Sequence, residues 1–303
     1  AAAAAQTRSN AALTGAALAL VTDRLIPSAP ADALTRFEET TPLITPEAVM
    51  AALQRDAVSI DKPLIRFRGR SAPEGGSKAI RAAWSEALKT EIAPTDTAEL
   101  KSFAYTDFGT AGVVTSDTRE STLGIRQVRF ANGVMLNIKR TELEKDRIRA
   151  TMAVDGGDRL STKSQPLTTE MVPYLSEGGL GKHSADDLQT ILAGRSVTAS
   201  ITSSDDAFTA SAITTHRDLE LQLQLWAAML TDSGFRVEGE VRYRHNINNV
   251  FKQLRSTPAA TLRSELGGIL SGKDPRFTLQ NVEAYRALTF AKLKSDIADR
   301  FTR

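Results

Sequence analysis

Ile125-Arg126-Gln127-Val128-Arg129-Phe130, a break at Ala131-Asn132-Gly133, then Val134-Met135-Leu136-Asn137-Ile138: the reading of the whole chain starts from this stretch. Two alternating apolar runs joined by Asn-Gly predict a β-hairpin, because a tight primed turn needs positive φ and these residues tolerate it. A second extended run covers residues 147–154 and stops at Asp155-Gly156-Gly157-Asp158. Residues 167–176 predict a helix, and Glu177-Gly178-Gly179-Leu180-Gly181 breaks the chain again.

Towards the C-terminus, Ser184 caps a helix over 185–192, with Asp186 and Asp187 at the positive end of its dipole. Residues 196–201 and 207–213 alternate small or apolar with polar side chains and predict a hairpin joined by 202–206. Asp218 caps an amphipathic helix with Leu219, Leu223, Trp226, Ala227 and Leu230 on one side. Helices over 237–254, 260–270, 281–287 and 290–301 follow, with a loop at Asp274-Pro275-Arg276-Phe277. Strands first and helices after them give an α+β class: an antiparallel sheet with helices packed mainly on one face.

Towards the N-terminus, residues 11–24 predict a helix behind Asn10, with Leu13, Leu18, Val21 and Leu25 at helical spacing and Pro27 and Pro30 as stops. A short helix over 33–39 precedes Thr45-Pro46-Glu47, which opens another: N-cap, first-turn proline, then an acid near the positive dipole end. Lys62 to Gly69 reads as a strand, 71–76 as a joint, and 78–88 as a helix with Ile80, Ala83, Trp84, Ala87 and Leu88 on one face. Residues 94–99 read as a loop and 103–118 as an extended connector. The expected division is 1–69, the helical end of a preceding domain; 70–122, a linker; and 123–303, an α+β domain. Residues 1–5 are all alanine and are left out of fold reasoning; a start without Met predicts a longer protein that was cut or only partly seen.

Composition narrows the classes. At 303 residues, 41% hydrophobic and 24% charged, the chain is a soluble globular type with room for a large core. A formal charge of +2 calls for no nucleic-acid or membrane partner. No apolar run is long enough to span a bilayer. The absence of cysteine excludes disulfides, thiolate metal sites and a cysteine nucleophile, and suits a periplasmic or a cytoplasmic setting equally.

The order of hairpin, long strand, Gly-rich turn and helix resembles the start of a domain in the insulinase-like (pitrilysin-type) zinc peptidases, the inverted His-x-x-Glu-His enzymes. Thr45-Pro46-Glu47-Ala48-Val49 is similar to a helix start near the end of the preceding domain in that family. Lining up the Gly-rich break places Glu170 where the first histidine would stand, Pro173 where the glutamate would stand and Tyr174 where the second histidine would stand. The resemblance therefore implies a non-catalytic portion with no catalytic residue, metal or cofactor of its own, and zinc in a parent or partner half. It implies a parent zinc endopeptidase whose halves close around a peptide. The family's third, acidic ligand comes from a helix matching 238–254, where Asn246-Ile247-Asn248-Asn249 offers no replacement.

The residues agree with that absence. Zinc hydrolysis needs two histidines one helical turn apart and a carboxylate base beside them. His183, His216 and His245 are scattered and read as surface or cap residues. Pro173 in mid-helix would remove a backbone bond and kink the segment. Gly178-Gly179-Leu180-Gly181-Lys182 fails as a phosphate loop, because Ser176 stands where the first glycine belongs and His183 where Ser or Thr belongs. No nucleophile-elbow pattern surrounds any serine. Mixed charges at Lys139, Arg140, Glu142, Glu144, Asp146, Arg147 and Arg149 read as a solvated tip. Trp84 and Trp226 read as core.

The expected function is that of a wall of the peptide chamber. An exposed strand, 196–201 or its partner 207–213, is expected to pair with an extended peptide, with Ser196, Thr198, Ser200, Arg242 and Tyr243 as contacts. The expected partners are a peptide and a half or subunit bearing His-x-x-Glu-His, in a homo- or hetero-dimer. The alternative is an assembly subunit without a substrate role, its interface on the polar helices beyond Val237.

Overall fold

In a computed structural model, residues 9–23, 28–57, 63–69, 71–91 and 101–301 are described. The expected features at residues 1–5, Leu25, Pro27, Lys62 and 94–99 lie outside them. The chain divides into two compact units, essentially Ser9–Glu99 and Leu100–Arg303.

The first unit is helical. It holds α1 (Asn10–Thr22), α2 (Pro30–Thr40), α3 (Pro46–Asp56) and α4 (Gly76–Ala87). The α1 cap is Ser9, whose Oγ accepts the Ala12 N–H at 3.2 Å, so Asn10 is the first helical residue. Thr45 caps α3 as expected, accepting the Ala48 N–H at 3.2 Å. No described residue of these helices is buried: Leu18 is 62% exposed, and Phe37 and Leu53 60% each. Residues 63–69 form no strand, since no ladder partner exists among the described residues of this unit.

The second unit carries the core and is α+β. Its first sheet has the order β1-β2-β3, from β1 (Val114–Arg119), β2 (Arg126–Phe130) and β3 (Met135–Ile138), all antiparallel. The supposed connector thus supplies a strand, and Tyr105 ahead of it is buried. The hairpin forms where expected, but Arg129 pairs with Met135 and Gly133 N–H bonds Phe130 C=O at 3.0 Å. That is a three-residue loop with positive φ at Gly133 alone, not a two-residue primed turn. Asn132 contributes instead through its side chain, which accepts the Val134 N–H at 3.2 Å.

The second sheet has the order β4-β6-β5, from β4 (Ile148–Asp155), β5 (Thr202–Ser203) and β6 (Ala207–Thr214). The single expected sheet is therefore two three-stranded sheets among the described residues. Around them lie α5 (Ala185–Ile191), α6 (Leu219–Thr231), α7 (Val237–Leu254), α8 (Pro258–Leu270), α9 (Val282–Arg286) and α10 (Phe290–Phe301). Ser184 and Asp187 form a reciprocal capping box at α5. Met171, Val172, Leu175, Phe208, Leu225, Trp226, Tyr243, Phe290 and Ile297 make the centre of one core. Each such fully buried large side chain contributes on the order of 2 kcal/mol.

On α6 the buried face is Gln222, Leu225, Trp226, Ala228 and Met229, while Leu223, assigned to that face from sequence, is exposed. Gln222 is polar yet fully buried, so a hydropathy pattern misplaces the stripe by one position. Trp226 is core as expected; Trp84 is only half-buried. No helix among the described residues is long and apolar enough to cross a membrane.

Candidate functional site

The segment matched to the zinc helix is not an α-helix. Turns over 166–171 lead into a 3-10 helix, Val172–Gly178. Pro173 sits in its first turn, where the missing N–H has no intrahelical role, so it starts the segment and does not kink it. Glu170 lies just before the helix and Tyr174 inside it.

Tyr174 faces α7, the helix matched to the third ligand. Tyr174 meets Tyr243 edge to face with centroids 5.1 Å apart, and its hydroxyl accepts a bond from Asn246 Nδ2 at 2.6 Å. Tyr243 is 1% exposed, and its hydroxyl has no partner among the described residues. Burial and then the nearby Asp158 charge raise the Glu170 carboxyl to about 7. Burial and then the Glu170 charge push Tyr285 up to about 12 and Tyr243 higher still. Asp158 is fixed by Thr169 Oγ1 at 2.5 Å and Ser203 Oγ at 2.6 Å.

This donor set does not fit zinc. It offers one carboxyl held partly protonated, one imino acid without a donor atom, and a phenol already bonded to an amide. Among the described residues, no three His, Asp or Glu side chains converge to hold a metal. His216 and His245 are exposed, as read; His183 is 3% exposed, which scattered spacing in the sequence did not reveal.

The expected peptide contacts are not brought together. Residues 196–201 are not a strand: the Ser196 N–H donates to Asp218 Oδ2 at 2.9 Å. The Thr198 N–H donates to Gln222 Oε1 at 2.7 Å, and Gln222 Nε2 donates back to Thr198 C=O at 3.0 Å. Two side chains from the start of α6 thus take the backbone groups a peptide would need. Asp218 stands at the N-cap but caps nothing, since Arg217 and Arg195 also hold it; these bonds keep its carboxyl far below the usual range. Ser200 is half-buried in the same segment. Tyr243 is inside the core, while Arg242 is exposed and paired with Glu177.

The strand edge that the sequence reading missed is β4. Its register with β6 runs from Ile148↔Thr214 to Asp155↔Ala207, and Gly156 N–H bonds Asp206 C=O at 2.9 Å. The pairs therefore alternate, turning the N–H and C=O of Arg149, Thr151, Ala153 and Asp155 away from β6. No strand pairs with that side among the described residues. The signal was present: Ile148, Ala150, Met152 and Val154 alternate with exposed residues, the pattern of a half-buried strand. The other run, 207–213, lies between β4 and β5 and is no edge.

No protein-family profile matches the chain, and no curated protein is similar to it in sequence. Solved structures are similar to it. The ferredoxin protease FusC, a mutant in complex with Arabidopsis ferredoxin, matches with a TM-score of 0.55 and 14% identity, over 95% of this chain and 32% of that one. The periplasmic protease PqqL from Escherichia coli matches with a TM-score of 0.54 and 16% identity, over the same shares. Both are insulinase-like proteases. The fold is that of part of an insulinase-like protease. The chain spans about a third of the length of either one.

Proposed function

We propose that the chain is a non-catalytic portion of an insulinase-like zinc protease, walling the peptide chamber while a half or subunit bearing His-x-x-Glu-His holds the metal. The observation that carries this reading is what stands at the matched positions: a buried carboxyl at Glu170, a proline without a donor atom at Pro173, and at Tyr174 a phenol engaged with Tyr243 and Asn246 of α7. Peptide is held on the outer edge of β4, where backbone groups of alternate residues accept an extended chain with little sequence demand.

Purified chain incubated with zinc and an unstructured peptide tests both parts. Neither stoichiometric metal nor cleavage is expected, while the amides of Arg149, Thr151 and Ala153 shift on titration. Retained zinc with hydrolysis overturns the non-catalytic reading; silent β4 amides at high peptide overturn the wall.

A second reading, an assembly subunit with no substrate role, draws on the exposed apolar side chains Val237 and Val241 on α7 and Leu262 and Ile269 on α8. Under it, Val241→Glu prevents association with a purified His-x-x-Glu-His subunit, and peptide leaves β4 undisturbed.

A further inference from the structure

Residues 101–105 enter the second unit without joining any strand, yet they are held at successive points. Lys101 Nζ lies 3.0 Å from the Asp187 carboxylate. The Ala104 N–H donates to His183 Nε2 at 2.9 Å. The Tyr105 hydroxyl donates to Asp232 Oδ2 and accepts the Lys182 N–H, both at 2.7 Å. Phe103 stacks on the His183 ring at 5.8 Å and Tyr105 meets it edge-on at 5.9 Å.

His183 is the centre of this arrangement, and its backbone is fixed. The Arg236 guanidinium donates to the carbonyls of Gly178, Leu180, Gly181 and His183, binding the Gly-rich loop to the start of α7. Against that fixed backbone, turning the imidazole away from residues 101–105 would break the Ala104 bond and the ring contacts with Phe103 and Tyr105. A ring nitrogen accepts a bond only while it carries no proton. With Nε2 accepting from Ala104, the neutral ring bears its proton on Nδ1, which is buried without a partner among the described residues.

We propose that residues 101–105 form a pH-released strap, held by neutral His183 and let go when Nε2 takes a proton from solvent. Protonation sets two N–H groups against each other in place of the Ala104 bond, and Phe103 and Tyr105 leave the ring with the strap. The groups around the ring fix the direction of the response. Burial weighs most, Asp187 on α5 favours the imidazolium, and Lys101, Lys182 and Arg236 oppose it; Asp232 is separated from the ring by Tyr105. The proton affinity of the strapped ring is thus below the ordinary imidazole value of 6.5. Since the released form binds the proton more readily, the hold is complete above the ordinary value and weakens about tenfold per pH unit below it, until the depressed value is passed.

The test follows the Ala104 amide by hydrogen exchange and the His183 ring by NMR in the same full-length sample, from pH 8 down to about 4.5. After correction for intrinsic exchange rates, Ala104 protection is expected to fall as the His183 ring titrates. His183→Gln keeps an acceptor that does not titrate, so its protection persists into acid. Lys182→Gln removes a cationic neighbour from a surface position and moves the midpoint upward in pH, which covers the case that the glutamine variant does not fold. The proposal is overturned if the ring titrates with Ala104 still protected, if His183→Gln loses protection at the same pH, or if Lys182→Gln leaves the midpoint where it was.

Discussion

Glu170 keeps a carboxyl in surroundings that resist its charge. Its folded value of about 7 lies above the ordinary 4.5, so protonation stabilises the fold. The gain is fully present below the ordinary value and is lost as pH rises through about 7. Glu170→Gln is therefore expected to match the parent at pH 4 and to exceed it by about 3 kcal/mol at pH 8 in urea unfolding; equal stability at both pH values refutes the burial argument. The Tyr243 hydroxyl is buried without a bond partner among the described residues, and such a group costs free energy. Tyr243→Phe should leave the fold unharmed or stabilise it by about 1 kcal/mol, whereas a hydroxyl engaged in a strong bond would show as a loss. Two glycines make a contrast. Gly133 has φ +89 with open space around it, and Gly157 has φ +57 with the Ser204 carbonyl 2.2 Å from where a Cβ would stand. Alanine at 133 is expected to cost about 1 kcal/mol, and at 157 at least about 3 kcal/mol, as thermal shifts of clearly different size. The sequence showed that both positions were turns, because glycine there has a local cause. It did not show which turn was crowded, since the crowding comes from a strand some fifty residues away.

At the scale of elements, caps and strong periodicities were legible. The Ser184 box, Thr45, and the bounds of α7 and α10 follow from nearest neighbours alone. Elements that depend on a distant partner were not. Residues 196–201 have the alternation of a strand, but Gln222 and Asp218 reach across from α6 and take their backbone groups. Residues 167–176 have helical composition, but Pro173 and the 3-10 geometry leave no α-helix. The same dependence makes β4 a free strand edge among the described residues and leaves 196–201 outside the sheet. Proline at position 153 deletes an outward N–H while sparing the bonds to β6, and edge strands tolerate this. Ala153→Pro should abolish peptide-induced amide shifts and leave the fold in place. Unchanged peptide binding would remove β4 from the account.

At the scale of the molecule, the class and the family resemblance were readable because they rest on the order of elements, which survives where side chains change. The fold likeness to FusC and PqqL holds at 14% and 16% identity, where single residues carry little memory. The two-sheet arrangement was not readable: strand pairing is a choice among distant runs, and several alternate equally well. At the candidate site, nothing in the sequence brings Tyr243 to Tyr174; that contact is set by how α7 packs on the 3-10 segment.

The 3-10 geometry of Val172–Gly178 bears on any attempt to build a metal site into this segment. In an α-helix, residues four apart project about 40° from each other, close enough for two imidazoles to share one ion. With three residues per turn the same spacing opens to about 120°. Histidines grafted four apart inside this segment would aim past each other, so a metal site there would need the backbone rewound before its ligands were chosen.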